Sequence, residues 1–273
     1  MILLGSPAYD FVDGSGQTVN GLQKARLTKY FTGPFLLYVL PTQILGGSIG
    51  VAGIVPNGAI CGRLFPNEPN ECTVGVGDPY VEMSWSRSFG TVRPSEYVGA
   101  LPIQQGLTVS TGIGVVLPLG RFDAQSPTDR ARSTGTNIYD IAPSVAVTYT
   151  TPPLLFEGTE FSAKFYLNKY LENPETSYLT GSIASLDFAL SERMGRFQIG
   201  VAGNYLIQFE DDELLGVAVP PDGRRAESLT LGPVLNVDVP EYGAALKLKM
   251  QSSVYARNSV KFWGMSFGWV RKF

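Results

Sequence analysis

The sequence predicts an all-β protein: a transmembrane antiparallel up-and-down β-barrel of about twelve strands, formed as a single domain by residues 1–273. Three observations support this fold class. Hydrophobic residues alternate with a period of two along most of the chain, and short and long connections alternate between these segments. Only 16% of the residues are charged, whereas about a quarter is usual in soluble domains.

The last segment, residues 261–273, shows the alternation most clearly. Counted back from the end, one set of alternate residues is large except for Arg271, and the residues between them are mostly small or polar. The large set is Phe273, Trp269, Phe267, Met265 and Trp263. A period of two places each set on its own face of a strand. A chain that ends in this way resembles the terminal strand of bacterial outer-membrane proteins, whose large face contacts lipid.

Seven earlier segments alternate in the same way. They are residues 107–119, 141–149, 160–168, 184–193, 197–210, 228–239 and 246–257. Their polar faces are rich in Ser, Thr, Asn, Gln and Gly and carry few charges. Lys and Glu usually dominate a surface that faces open solvent. The pattern therefore favours a narrow, water-filled lumen over a soluble β-sandwich or a lipocalin-like barrel.

The connections support an up-and-down order. Tight turns are predicted at 151–153, 194–195 and 240–241, and longer polar loops at 120–137, 171–177 and 211–225. Short periplasmic turns and long outer loops are typical of outer-membrane barrels. Residues 88–103 are the exception, because they would form a long segment on the short-turn side. In the N-terminal segment, residues 1–30, we expect the first strand between Leu22 and Phe31, with the rest partly in the lumen or the periplasm.

Composition excludes several other classes of protein. The longest apolar block, Pro34–Pro41, is too short for a membrane helix, which needs roughly 20 residues. A net charge of −3 without a basic stripe argues against a nucleic-acid partner. Ile2–Leu4 is too short an apolar run for a signal peptide, so we expect a mature chain with an added start.

Cys61 and Cys72 are the two cysteines of the chain. In an oxidising compartment they could form a disulfide worth about 3 kcal/mol, and two free thiols are the alternative. The absence of His leaves too few soft ligands for a metal site, and no cofactor is expected.

The absence of His also removes the Ser-His-Asp and Cys-His arrangements of hydrolases, so we do not expect an enzyme. A barrel enzyme would need hydrolytic activity without His. The carboxylate run 210–213 could bind a cation, but we interpret it as a solvated charge run in an outer loop.

The predicted lumen face carries charges of both signs, which would set ion preference. These pore-lining candidates are Lys164, Arg193, Lys247, Lys249, Arg257, Glu82, Glu160, Asp187 and Asp238. Lys247 and Lys249 stack on one strand, and our hypothesis is that they form the basic side of a constriction. The alternative is that they pair with neighbouring acids and hold the strand register.

Segments 77–81, 115–122, 138–151 and 161–190 resemble the outer-membrane channels associated with the meta-pathway of phenol degradation. The polar loop Glu172–Tyr178, between two alternating strands, carries most of the resemblance. It implies a monomeric diffusion channel in the bacterial outer membrane, in contact with lipid and lipopolysaccharide, that takes up small hydrophobic or aromatic molecules. The alternative is a structural or adhesive barrel with a closed lumen and partner-binding outer loops.

Overall fold

The structure, a computed structural model, describes residues 2–22, 25–96 and 100–271. Strands dominate it, with one short helix and one 3₁₀ turn, Pro240–Tyr242. The strands of the first half are β1 (Ile2–Val12), β2 (Arg26–Gly33), β3 (Phe35–Ile44), β4 (Gly47–Ile54), β5 (Asn57–Arg63), β6 (Glu71–Val76), β7 (Tyr80–Phe89), β8 (Val92–Arg93), β9 (Ile103–Gln104) and β10 (Gly106–Val116).

After helix α1 (Pro127–Arg132), the second half continues with ten further strands. They are β11 (Asp140–Thr150), β12 (Gly158–Tyr170), β13 (Tyr178–Leu179), β14 (Ile183–Met194), β15 (Phe197–Gln208), β16 (Glu213–Leu214), β17 (Val217–Ala218), β18 (Glu227–Val239), β19 (Ala244–Arg257) and β20 (Ser259–Arg271). None of the described helices has the length and hydropathy needed to span a bilayer.

Fifteen strands form one antiparallel sheet in the order β3-β4-β7-β10-β11-β12-β14-β15-β18-β19-β20-β1-β2-β5-β6. The expectation of an all-β, up-and-down antiparallel sheet is confirmed. β3 and β6 stand at the ends of this order, and no ladder joins them within the described ranges. The hydrogen-bonded sheet is therefore not closed strand to strand at these two ends.

The expected count of about twelve strands is wrong, since the described residues contain twenty. One reason is that prolines and glycines interrupt long passages, because proline has no N–H for a ladder. Pro34 separates β2 from β3, residues 55–56 separate β4 from β5, and residues 77–79 separate β6 from β7. The other reason is that β8, β9, β13, β16 and β17 are short strands within connections, outside the main sheet.

The first strand also lies earlier than expected. β1 begins at Ile2 and pairs with both β2 and β20, for example Ile2 with Gly33 and with Gly268. The sequence concealed this strand because Gly5 and Pro7 disturb its alternation, and because its register shifts between Ala8 and Asp10. Phe273, the expected terminal aromatic residue, lies outside the described residues.

The two faces of the sheet differ in exposure and in chemistry. Large apolar side chains at alternate positions are about half exposed, such as Phe161 (50%), Val201 (51%) and Trp263 (51%). On the opposite face Lys164 of β12 donates to Glu82 of β7 across the two intervening strands. A contact of that reach requires a concave surface. The polar face is therefore on the inside of the curved sheet and the apolar face on its outside.

The connections define two ends of the molecule. The long-loop end contains segments 13–22, 64–70, 117–139, 171–182 and 209–226, and the short-turn end contains turns 45–46, 151–157, 195–196 and 240–243. At the long-loop end, Ala131 of α1 packs against a small hydrophobic core that includes Leu27, Ile60 and Leu64. Ser126 caps α1 by accepting a hydrogen bond from the Asp129 amide. The helix thus lies against β2 and β5.

Candidate functional site

The middle of the polar face holds a group of four side chains that we call the central belt: Tyr80, Glu82, Lys164 and Tyr166. The Tyr80 hydroxyl donates to Glu82 Oε2 at 2.7 Å. Lys164 Nζ donates to both Glu82 oxygens, at 2.7 and 3.0 Å, and lies 4.8 Å from the centre of the Tyr166 ring. A cation over an aromatic face is stabilised by the ring quadrupole. The belt therefore combines fixed charge with aromatic surface.

A glycine on β10 allows the belt to lie against the sheet. A Cβ atom at Gly114 would be 2.2 Å from the Tyr80 hydroxyl and 2.5 Å from its ring. Any other residue at this position would push the Tyr80 side chain away from the sheet. The distance from the belt to the opposite part of the polar face thus depends on Gly114.

Hydroxyl pairs extend the polar face towards the short-turn end. Ser86 and Ser110 are 2.9 Å apart, and Thr148 and Ser162 are 3.0 Å apart, in each case between the Oγ atoms of neighbouring strands. Such cross-strand pairs satisfy hydrogen bonds without adding charge. They keep the face wettable between its few charged residues.

At the short-turn end, residues 91–96 and 100–105 belong to what we call the mouth hairpin, which contains β8 and β9. Glu157, only 2% exposed, fixes it there. Glu157 Oε1 accepts from the Ser95 hydroxyl at 2.6 Å and from the Glu96 amide at 2.8 Å. Its other oxygen accepts from the Gly195 amide at 2.8 Å. One buried carboxylate thus joins the hairpin to the turn between β14 and β15.

The surroundings of Glu157 keep it ionised. Burial raises its pKa, but the Ser95 hydroxyl, the Glu96 and Gly195 amides and the charge of Arg93 together outweigh burial, so the pKa lies below its ordinary value. The ionised form is the one that can accept from all three donors.

Asp238 holds the hairpin at a second point. Its Oδ2 atom accepts from the Leu101 amide at 3.1 Å and pairs with the guanidinium of Arg193. Asp238 lies on β18, whereas the hairpin connects β7 to β10, and four strands separate β10 from β18 in the sheet order. The hairpin therefore reaches across the short-turn end.

Asp212 organises the long-loop end, and it corrects one expectation. It is 7% exposed and accepts from the Tyr178 hydroxyl, from the Gly181 amide at 3.0 Å and from Gln208 Nε2 at 2.7 Å. The prediction that run 210–213 is solvated is therefore wrong for this residue. The physical reason is that Asp212 is buried in a hydrogen-bonded loop, and the amino-acid sequence alone does not show this burial.

The neighbours of Asp212 are also paired. Asp211 pairs with Arg225 at 2.6 Å. Glu210 pairs with Lys169 at 2.8 Å and accepts from the Ser182 hydroxyl at 2.6 Å. The hydrogen bond from Lys169, followed by those from Ser182, lowers the pKa of Glu210 to about 2. Within the described residues no three His, Cys, Asp or Glu side chains gather as metal ligands.

Asp78 fixes the helix-bearing segment 117–139. Its Oδ1 atom accepts from the Gly120 amide at 2.9 Å, and its Oδ2 atom from the Thr136 amide at 2.6 Å and hydroxyl at 2.7 Å. This segment covers a cavity of about 580 Å³ whose walls come from β2, β5, β10, β11, β12 and the loop itself. Lys29, Phe31, Ile60, Ile138, Asp140 and Tyr170 are among its lining residues.

The pore-lining candidates separate into four groups. Glu82 and Lys164 belong to the central belt, and Arg193 and Asp238 pair at the short-turn end. Asp187 accepts from Asn204 Nδ2 at 2.9 Å, and Glu160 accepts a long hydrogen bond of 3.4 Å from Ser162.

The remaining basic candidates lie elsewhere. Arg257 is at the long-loop end, where its Nε donates to the Gly14 carbonyl at 2.7 Å. Lys247 faces Asn236 and Gly268 across the ladder, and Lys249 faces Val234 and Ser266. In the described part of the chain neither lysine has a carboxylate within 4.0 Å. The structure therefore does not contain the pairing with neighbouring acids.

Cys61 and Cys72 lie opposite each other on β5 and β6 and are joined by a disulfide bond.

Sequence reasoning missed Tyr80, Glu157, Lys29 and Asp140. Tyr80 could have been found, because it lies two residues before Glu82 and so on the same face. Glu157 lies in a turn, where a period of two does not indicate the direction of a side chain. The cavity that Lys29 and Asp140 line depends on a loop that folds back over the strands, which no local pattern reports.

The fold and this geometry agree with what is known of related proteins. Residues 9–269 match the model of a family described as "Putative MetA-pathway of phenol degradation". The chain belongs to this family. Its fold is similar to that of an outer membrane channel from Pseudomonas putida F1, with a TM-score of 0.77 at 14% identity over 100% of this chain and 93% of that one. The β-domain of a Bordetella autotransporter gives a TM-score of 0.54 at 10% identity, over 100% of this chain and 98% of the other.

No curated relative matches the sequence. The family predicted from the loop and strand segments is confirmed. The expected location in the bacterial outer membrane is confirmed by the family match and the fold taken together. Family and fold point to transport and not to an enzyme.

Proposed function

We propose that this protein is a monomeric outer-membrane diffusion channel for the uptake of small hydrophobic or aromatic molecules. One observation carries the proposal. This chain, a member of the family, has an apolar outer face that is exposed and a polar inner face with few charges. In a bilayer that arrangement places the apolar face against lipid and the polar face around a lumen. No reaction is needed, because lumen width, polarity and charge give selectivity.

The proposal includes closure of the sheet into a barrel through chain continuity. The strands at one end of the sheet order, β3, β4 and β7, continue along the chain into β2, β5 and β6 at the other end. Each interruption is at most three residues long. The same three passages form both ends of the order, and we propose that they close the wall into a ring. Only closed barrels and helices satisfy their backbone groups in hydrocarbon, which supports this interpretation.

We further propose that the central belt and the mouth hairpin narrow the lumen, and that Lys247 and Lys249 form the basic side of a constriction. Neither lysine is neutralised by a neighbour in the described residues, so their charge would act on passing solutes. Replacing both by Met should shift the reversal potential towards cation preference. Lys261→Met, on the outer face, serves as the control. Unchanged selectivity in the double variant would contradict the constriction.

The deciding experiment is single-channel recording of the refolded full chain in a planar bilayer, together with uptake of phenol and toluene by proteoliposomes. We expect steady openings and faster uptake than in protein-free vesicles. The alternative function, an adhesive barrel with a closed lumen, is favoured by the mouth hairpin and by helix α1 at opposite ends. Folded barrels with neither conductance nor uptake would contradict the channel and indicate the closed lumen of the structural or adhesive alternative.

A further inference from the structure

Arg26 and Arg63 face each other on the outside of the sheet, at the long-loop end. They are direct partners across the ladder between β2 and β5. Leu27 and Leu64, which follow them along the chain, pack in the hydrophobic core under α1. Because successive side chains of a strand point to opposite faces, both arginines lie on the outer face. Like charges that are directly opposed in a ladder repel each other.

Each of the two arginines donates to a backbone carbonyl. Arg26 Nη1 donates to the Ala25 carbonyl at 2.7 Å, and Arg63 Nη1 donates to the Glu68 carbonyl at 3.3 Å. Among the residues that the structure describes, no carboxylate lies within 4.0 Å of the Arg63 guanidinium. A guanidinium presents further N–H groups in a planar fork, which suits a phosphate. A phosphate between the two arginines would therefore relieve their repulsion.

An apolar groove of about 810 Å³ begins next to this pair and continues along the outer face, away from the long loops. Thr28, Tyr30 and Thr32 of β2 line it, and they follow Arg26 at alternate positions on the same face. At about 3.3 Å per residue, these lining residues lie roughly 7 to 20 Å from Arg26 along the strand. The other lining residues include Pro7, Ala59, Val74, Trp263 and Met265.

The groove exists because a small residue lies between large ones. Ala59 of β5 is the direct ladder partner of Tyr30 on one side and of Val74 on the other. Tyr30 is 53% exposed and Val74 is 66% exposed, so both stand clear of the sheet beside Ala59. The Cys61–Cys72 disulfide joins β5 to β6 at the next outward-facing position after Ala59. A straight hydrocarbon chain lying over Ala59 would contact both large side chains.

We propose that this site binds a lipopolysaccharide molecule of the outer leaflet, with a headgroup phosphate between Arg26 and Arg63 and one acyl chain in the groove. The long loops of an outer-membrane barrel face the cell exterior. That orientation places the two arginines at the headgroup level of the leaflet that contains lipopolysaccharide. The inference rests on the membrane orientation in the proposed function and does not require conduction.

Native mass spectrometry of the detergent-solubilised full chain tests the ligand without any variant. The probe is lipid A, the phosphorylated and acylated membrane anchor of lipopolysaccharide. It should bind about tenfold or more tightly than lipid A from which the phosphates have been removed. It should also bind more tightly than phosphatidylglycerol, because a phosphate monoester carries more negative charge than a phosphodiester. Equal binding of either comparison lipid would overturn the proposal.

Arginine variants then assign the phosphate site. Arg26→Gln and Arg63→Gln should each weaken lipid A binding about tenfold. Arg130→Gln is the matched control, because Arg130 Nη1 also donates to a backbone carbonyl, that of Ala124 at 3.0 Å, but Arg130 belongs to α1, on the other face of β2 and β5. Heat-modifiable migration checks folding. Unchanged affinity in both folded site variants would overturn the assignment.

A filled groove tests the place of the acyl chain. Ala59→Trp puts a large apolar side chain where the chain would lie, so it should weaken lipid A binding severalfold. Ala163→Trp is the control, since Ala163 is exposed on the outer face of β12 and does not line the groove. The same affinity in these two variants would overturn the assignment of the groove.

Lipid A binding and conduction fail separately. Steady conductance of a chain that shows no preference for lipid A leaves the channel standing and removes this inference. A preference for lipid A that both arginine variants lose, in a chain without conductance or uptake, leaves the lipid site standing and removes the channel.

Discussion

Gly114 shows how much a single residue controls on the polar face. A Cβ atom added to residue 114 would lie only 2.2 Å from the Tyr80 hydroxyl. Since the crowded atom is the far end of a rotatable side chain, a substitution should move Tyr80 and leave the strand in place. The phenol ring would then project into the lumen, and its hydrogen bond to Glu82 would be lost.

We therefore predict that Gly114→Ala lowers single-channel conductance severalfold while thermal stability falls only slightly, by about 1 kcal/mol for one lost hydrogen bond. Conductance of the refolded variant and its unfolding midpoint in urea measure the two effects. Gly53→Ala is the control, because its Cβ would be no closer than 3.6 Å to any neighbour. A conductance equal to that of Gly53→Ala would show that Tyr80 does not border the conducting path.

Strand parity is the only signal in the sequence that gives a side chain a direction, and the residue-level predictions rest on it. Glu82, Lys164 and Asp187 were assigned to the polar face from their place in alternating segments, and the structure puts them in polar contacts there. The prediction for Asp212 failed, because a carboxylate run looks the same in sequence whether it is solvated or buried.

At the scale of elements, the mouth hairpin accounts for the one connection that broke the alternation of short and long links. A long polar segment at the short-turn end has no neighbouring strand with which its backbone could form a ladder. The structure folds it across the end of the sheet and fixes it with Glu157 and Asp238. The unusual length of this segment was visible in the sequence. The role of Glu157, which lies 61 residues beyond Glu96, was not.

The hairpin should loosen when Glu157 is neutralised. Because the folded state lowers the pKa of this group below its ordinary value of 4.5, its contribution is complete above pH 4.5 and is lost as the pH falls through the lowered pKa. Glu157→Gln removes the same interactions at neutral pH. For Glu157→Gln at pH 7 we predict faster hydrogen exchange in residues 91–105 and noisier open-channel current. The unmodified protein should show both effects only in acid.

Glu192→Gln provides the control for Glu157→Gln. Glu192 also accepts two hydrogen bonds near the short-turn end, from the Phe156 amide at 3.1 Å and the Thr159 hydroxyl at 2.6 Å, but neither donor is in the hairpin. Equal exchange in the two variants, or no acid effect on the unmodified protein, would show that Glu157 does not hold the hairpin.

For the whole molecule, composition and alternation were sufficient to predict fold class, and alternation of loop lengths was sufficient to predict strand order. The count of strands could not be predicted, because Pro34 and residues 77–79 interrupt hydrogen bonding without turning the chain. The N-terminal strand could not be predicted either. Gly5 and Pro7 weaken its pattern, and it is specified by two neighbours, β20 and β2, that come from opposite ends of the sequence.

β1 is also the part of the chain on which the proposed ring depends. It is the strand that joins β20 to β2, with ladders on both of its edges. Without it, both neighbours would present unpaired N–H and C=O groups to hydrocarbon, at several kcal/mol for each unsatisfied group. A segment that merely entered the lumen would have the opposite property, since its removal would leave the wall intact.

Deletion of residues 2–12 therefore distinguishes the two arrangements. We predict that the shortened chain fails to refold into a heat-modifiable species in detergent or vesicles, because its wall cannot close. The control replaces residues 213–219 by a short Gly-Ser linker; β16 and β17 belong to a separate small sheet at the long-loop end, so that variant should still fold. A folded deletion variant with raised conductance would instead make residues 2–12 a plug, and the ring would have to close between β20 and β2 directly.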